Sequence, residues 1–308
     1  MKKKTVITII IIGVIIMSVY SVAGNLLGNI FDKDGNDSPT AYDVDGNLVF
    51  PEIPIPSGDL TAVSTVALPD IYNNGHGWTC TGLAYDAETD TFLVGDIGKA
   101  LPSSSGFASK IIRVSADFLT VEEQIPLYTT FPNMQDVQGI TIDTSDGTLW
   151  FCSTSENLIR HIDAQGNSIG SFSVSGSPTG IAYSPLDDSL WVLTYANSNN
   201  ILRVSKTGTV KEQYTFNYSD TLDQCFLDYT RGYLYITAGA NYTTRNNVYL
   251  FNTSTHAQSI ACTVDAYSVE GLWLGDGNKM IIVNDGYYHS ATVAVNQANF
   301  YTIENASD

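Results

Sequence analysis

Basic residues are scarce in this chain. Its 308 residues hold 14 Lys and Arg against 32 Asp and Glu, a formal net charge of −18. Lys2, Lys3 and Lys4 all precede the first acid, Asp32, so the remainder is more acidic still. A surface of that sign repels phosphate backbones and anionic lipid heads, which excludes nucleic acid as the expected partner and leaves cations and neutral molecules. Cysteine is limited to Cys80, Cys152, Cys225 and Cys262 with no C-x-x-C spacing, so a zinc ribbon has no basis. No H-E-x-x-H or phosphate-binding glycine loop occurs. The four histidines, His76, His161, His256 and His289, are scattered, and no Ser-His-Asp triad can be drawn from them.

Long apolar runs are also missing, with one exception. Lys2-Lys3-Lys4 leads into Val6–Met17, and the apolar character continues to Val22. Ser21-Val22-Ala23 offers small residues for signal-peptidase cleavage, and the run is also long enough to stay in a bilayer. Residues 1–23 are therefore expected to be either a signal peptide or a membrane-anchoring hydrophobic helix. Both place the lysines inside and the rest of the chain outside the cytoplasm. Residues 24–58, rich in Asp and Pro and without apolar period, read as an acidic flexible tether. Asp32-Lys33-Asp34-Gly35-Asn36 and Asp43-Val44-Asp45-Gly46-Asn47 echo calcium loops, but the glycine is misplaced and no Glu follows at position twelve.

What the chain does have is an internal repeat. With Gly82, Gly139, Gly180, Gln224 and Gly271 in register, the residues ten to twelve positions later are apolar in all five copies. They read Phe92-Leu93-Val94, Leu149-Trp150-Phe151, Leu190-Trp191-Val192, Leu234-Tyr235-Ile236 and Ile281-Ile282-Val283. Turn formers such as Ser145-Asp146-Gly147 separate the two halves, so each copy is a hairpin. Copies 41 to 57 residues apart predict an all-β, five-bladed β-propeller over residues 59–308. A six-bladed ring, the alternative, would need more strands from residues 41–79. A third strand is expected at Lys110–Val114, Leu158–Ile162, Asn200–Val204, Asn247–Phe251 and Ala291–Val295, with fourth strands beyond, the last a short one at Asn299–Ile303. Thr61–Leu68 is expected to pair with the last blade and close the ring. Residues 98–109, Ser- and Gly-rich, read as a surface loop.

Hairpin geometry brings the start of each inner strand and the end of each second strand to one face. The pairs expected there are Thr81 with Asp96, Gln138 with Ser153, Thr179 with Thr194, Asp223 with Ala238, and Glu270 with Asp285. Asp96, Asp223, Glu270 and Asp285 would lie on three adjacent blades, facing neutral oxygens. Such an arc outlines a hard-cation site and makes calcium the expected cofactor, with ordinary acidic solvation as the alternative. Asn284 and His289 extend the candidate set, and Trp78, after the loop Asn73–Gly77, is a candidate ligand contact. Trp150 and Trp191 occupy one repeat position and are expected to pack between blades. Cys80 and Cys152 could reach one another as a disulfide; buried free thiols are the equal alternative.

The repeats resemble those of the NHL and SMP-30 (gluconolactonase-like) propellers, and the layout is similar to the SdiA-regulated family. The resemblance implies that Glu270-Gly271, a Glu-Gly at an inner-strand start, helps to hold calcium. Gln138-Gly139, Thr81-Gly82 and Thr179-Gly180 depart from that pattern, and Thr179 stands where a lactonase would carry an Asn ligand. The expected function is an extracytoplasmic module that binds a small molecule or a cell-surface partner, with the membrane touched only through the N-terminal segment. A metal-dependent lactonase or esterase is the alternative. A reporter enzyme fused after Asp308 should be active only outside the cytoplasm; activity confined to the cytoplasm would overturn the export reading.

Overall fold

The computed structural model describes residues 54–98, 108–195, 199–238, 245–275, 278–289 and 295–303. It also gives the backbone of two short strands, Ala41–Tyr42 and Leu48–Val49, which pair antiparallel within residues 1–52, a unit distinct from residues 53–308. The apolar segment 1–23 and most of the 98–109 loop lie outside the described residues. Among the described residues no helix is long and apolar enough to cross a membrane.

The larger unit is a five-bladed propeller. Its first blade consists of Cys80–Asp86, Thr91–Asp96, Lys110–Ser115 and Val121–Pro126. The second consists of Ile140–Ile142, Leu149–Ser153, Leu158–Ile162 and Ser168–Ser173. The third holds Ser177–Ser184, Ser189–Tyr195, Asn200–Ser205 and Val210–Thr215. The fourth holds Cys225–Asp228, Tyr233–Thr237, Asn246–Asn252 and Gln258–Val264, extended by Gly58–Leu60 in parallel. That added strand begins inside the stretch read as a tether. The fifth holds Val269–Gly275, Lys279–Asn284 and Gln297–Thr302, completed by Ser64–Ala67. Five blades replace the six-bladed alternative. In the fifth blade the third strand is Gln297–Thr302, paired along all of Lys279–Asn284; of the expected Ala291–Val295, residues 291–294 lie outside the described residues. The N-terminal strand Ser64–Ala67 supplies the fourth, which closes the ring as expected.

Each hairpin turns through a residue with positive φ: Asp90, Gly147, Asp188, Gly232 and Asn278. Gly, Asp and Asn tolerate that conformation best. Beyond the turn, side chains alternate between the two faces of a blade. Phe92 and Val94 pack with Ile281 and Val283 of the fifth blade, whereas Leu93 packs with Ile140 and Phe151 of the second. Every interface between adjacent blades has its own apolar cluster, five in all. Trp150 packs against Ile181 and Tyr183 of the third blade and Trp191 against Phe251 of the fourth, so both tryptophans serve blade packing. The four cysteines are buried free thiols; Cys80 and Cys152 do not pair.

The inner strands are tied around the axis by hydrogen bonds at every interface. Thr81 Oγ1 donates to Val137 O (2.6 Å), Gly139 N to Thr179 O (2.6 Å) and Thr179 Oγ1 to Leu222 O (3.2 Å). Thr237 Oγ1 donates to Glu270 O (2.8 Å), and Cys80 Sγ to Asn284 O (2.7 Å) closes the circle. This approach explains the register glycine. A Cβ on Gly82 would stand 2.5 Å from Gln138 O and 2.8 Å from Ile140 N, and one on Gly271 would stand 2.4 Å from Leu83 Cβ. Gly82→Ala should therefore cost about 2–3 kcal/mol by overpacking, a fall in Tm of roughly 2–4 °C per kcal/mol. Gly170→Ala, at a position with nothing within 4 Å, should be nearly neutral. Equal loss in both variants on thermal unfolding would refute this account of the register.

Candidate functional site

The inner strands do not run straight into the axis. Register shifts fall between Cys80 and Leu83, Pro178 and Ile181, and Val269 and Leu272. Each shift frames the residue before the register glycine: Thr81, Thr179 and Glu270. A bulge re-aims a side chain that regular pleating would send to a blade face. Here the re-aimed residues meet at one end of the axis, where they line a cavity of about 440 Å³ together with Gln138 and Asp223 of the other two blades.

The acids gather on one wall. Glu270, Asp285 and His289 each offer a ligand atom, all within 4.8 Å of one another. His289 Nε2 lies 3.0 Å from Asp285 Oδ2, on the turn that follows the second strand of the fifth blade. Glu270 and Asp285 are 6% and 3% exposed, yet Glu270 Oε2 and Asp285 Oδ1 have no hydrogen-bond partner among the described residues. Ser268, two residues before Glu270, is fully buried with a φ of 50°, a strained conformation for a serine. Strained, desolvated groups of this kind cluster at functional sites.

Burial sets the protonation of this wall. It pushes the Asp223 carboxyl up to about 7, with Asp285 adding repulsion and Glu270 and His289 opposing it. Glu270 is held well above the usual carboxylate range by burial first, then by repulsion from Asp223 and Asp285. Asp285 is raised by burial, although His289 partly offsets it. For His289, burial favours the neutral ring, but the hydrogen bond and charge of Asp285 outweigh it and the net shift is upward.

The remaining sequence candidates are placed differently. Thr81 and Thr179 line the cavity, but their hydroxyls are used in the interblade bonds described above. Gln138 lines it as well. Asp96 does not join the acidic wall: its carboxylate accepts from Tyr72 Oη (2.5 Å) and Gly98 N (2.9 Å) beneath the first blade's loop. Trp78 is fully buried in the cluster between the first and fifth blades and is core rather than a ligand contact. Asn284 lies in the sheet opposite Val269, fully buried and outside the cavity wall, with its Oδ1 accepting from Gly286 N. Ser153 and Thr194 are also buried behind the wall.

Other lining residues carry no repeat signal. Asp136, Thr154 and Ser155 come from the loops of the second blade, and Tyr195 and Tyr288 from strand and turn ends. Asp136 precedes the register glycine by three positions, so a wider window around each glycine would have included it. The letters G-x-S-x-G do occur, at Gly166-Asn167-Ser168-Ile169-Gly170. Ser168 is exposed on the outermost strand of the second blade, not on a strand-to-helix elbow, and has no part in the cavity.

Comparison with protein-family models finds no match, and comparison with curated proteins finds none. Among solved structures, Myxococcus xanthus glutaminyl cyclase superposes with a TM-score of 0.54 at 9% identity, covering 82% of this chain and 100% of that one. A Xanthomonas campestris gluconolactonase gives 0.49 at 13% identity, covering 78% and 89%. A streptogramin B lyase gives 0.44 at 15% identity, covering 79% and 74%. At 9% identity the likeness to the glutaminyl cyclase is one of fold alone; the five blades are read from this chain's own strand order.

The upward shifts fix the sign of a pH effect. Well below pH 4 both folded and unfolded chains hold the Asp223 and Glu270 protons; as pH rises, the unfolded chain releases them first. The stability they contribute is present below about pH 4 and is lost as pH climbs through about 7. Without added metal, Glu270→Gln should therefore flatten the decline in Tm between pH 5 and 8 and raise Tm at pH 8 by several degrees. A variant that is less stable than wild type at pH 8 would contradict the assigned protonation.

Proposed function

We propose that this propeller is an extracytoplasmic binding module that holds a divalent cation at the mouth of its axis, between Glu270, Asp285 and His289, and binds a small ligand above it. The observation that carries the reading is a pair of buried oxygens, Glu270 Oε2 and Asp285 Oδ1, without a hydrogen-bond partner among the described residues, on two side chains that line the cavity, where the Glu270 carboxyl also meets that of Asp223. Burial and mutual repulsion keep protons on these carboxyls, and a cation would take the place of the protons. Calcium fits the two carboxylates with neutral oxygens and water completing its shell. His289 adds the nitrogen donor that zinc and similar ions take. The extracytoplasmic placement rests on the Lys2–Val22 segment.

Metal-dependent hydrolysis of a lactone or ester is the second reading. It is favoured by the carboxyl of Asp223, which lines the cavity, is hydrogen-bonded to Glu270 and Gln224, and once ionised could take a proton from water.

In thermal unfolding at pH 7.5, millimolar calcium should raise the Tm of the wild-type protein, and Glu270→Gln should remove most of that rise. His289→Gln should leave the calcium effect in place while weakening stabilisation by zinc. Absence of any rise with either ion, or an equal rise in Glu270→Gln, would overturn the cation site. Turnover of a lactone or ester by the metal-loaded wild type, lost in Asp223→Asn, would favour the hydrolase.

A further inference from the structure

The distribution of bases in the blades narrows the ligand. Ion pairs are abundant away from the mouth. Arg113 pairs with Asp86 (2.6 Å), Lys206 with Asp143 (2.5 Å), Arg203 with Asp187 (2.5 Å) and Arg231 with Asp228 (2.6 Å). These acids all lie around the hairpin turns, the ends of the blades opposite the cavity. At the mouth the pattern reverses. Asp136, Asp223, Glu270 and Asp285 line the cavity, no Lys or Arg lines it, and His289 is its one basic side chain among the described residues. Arg160, the nearest base in the second blade, is taken up by Glu156 at 2.7 Å.

Asp136 stands apart from the other three acids, on the second blade. Its oxygens accept from Ser155 N (3.1 Å) and from the hydroxyls of Ser155 (2.7 Å) and Ser153 (3.3 Å). Those bonds fix the carboxylate without neutralising it. A cation held by Glu270, Asp285 and His289 would balance the wall formed by the fourth and fifth blades and leave Asp136, whose carboxyl burial holds above its usual range, without an ion-pair partner among the described residues. Tyr195 and Tyr288 also line the cavity, and aromatic faces attract organic cations. An anionic ligand would meet repulsion here and find no Lys or Arg to bind it.

Building on the cation reading, we propose that the cavity takes a small protonated amine that also carries a carbonyl oxygen, an amino-acid amide or ester or the amino end of a peptide. Its ammonium is held at Asp136 and its oxygen is turned to the metal. The buried, unpartnered Glu270 Oε2 and Asp285 Oδ1 support a binding site independently of its charge; the absence of Lys and Arg among the described lining residues, with Asp136, points to the class of ligand.

The test uses two probes of nearly equal shape, L-alaninamide and L-lactamide, which differ by an ammonium in place of a hydroxyl. Binding is measured by calorimetry on the full chain, with and without saturating calcium or zinc. Alaninamide should bind at least tenfold more tightly than lactamide, and Asp136→Asn should abolish that preference while keeping the metal-induced rise in Tm. Equal affinity for the two probes, or a preference unchanged in Asp136→Asn, would overturn the proposal. If the metal gives no rise in Tm but alaninamide still binds through Asp136, the cation reading fails and the amine assignment stands. If the metal binds and alaninamide does not, the reverse holds.

Discussion

Five inner strands meet around one axis, closely enough that a Cβ at a register glycine would run into the backbone of the next blade. The rest of the molecule follows from that approach. Glycine at four of the five positions lets side-chain and main-chain donors of one blade reach the carbonyls of the next, and the five resulting bonds fix the ring from within. The five apolar clusters fix it from without. The exception is informative. Gln224 carries a side chain where the other copies have none, and its Nε2 donates to Thr179 O (3.1 Å), with its Oε1 close to Gly139. It fills space at the axis that the four glycines leave open.

The same constraint makes the site. A strand pressed against its neighbours at a glycine bulges there, and the bulge turns the preceding residue out of the sheet toward the axis. Position thus comes from the fold, whereas chemistry comes from whichever residue occupies that one position in each blade. Two neutral blades with Thr, one with Gln and two with acids give an asymmetric mouth. The asymmetry is sharpened by Asp285 and His289, which reach the same wall from the far end of the fifth blade's hairpin.

Much of this was legible in the chain itself. The glycine register, the apolar triplets and the closing strand depend on local pattern, and local pattern survives in sequence. Position before the glycine was legible for the same reason, so Glu270, Asp223, Gln138, Thr81 and Thr179 could be assigned to one face. Asp96 and Asp285 stand equally far from their register glycines, but the fifth hairpin is one residue shorter: Asp96 pairs opposite Cys80 as Asn284 pairs opposite Val269, and Asp285 lies one residue beyond the strand, where the first blade has Ile97. Tyr72, outside the repeat, then captures Asp96, whereas Asp285 meets His289 four residues later. Trp78 failed as a ligand contact because the loop before it folds inward under Leu68, bringing the ring into the core. The third strand of the fifth blade was misplaced because Ala291–Val295 and Gln297–Thr302 both have strand composition, and only pairing with Lys279–Asn284 chooses between them.

Acidic solvation of a propeller mouth would account for the composition of the wall but not for its burial. Solvated carboxylates are exposed and cheap, as Asp117 and Asp163 are, with their acidity enhanced by turn hydrogen bonds. Glu270 and Asp285 are the opposite: buried, raised in pKa and left with an unpartnered oxygen each. A chain with 14 basic residues that matches its hairpin-end acids with Arg and Lys, yet gives these two none among the described residues, has concentrated the cost of burying acids at one location. On the cation reading proposed above, the bound ion would supply the charge that offsets this cost, and local cost of this kind is characteristic of functional sites.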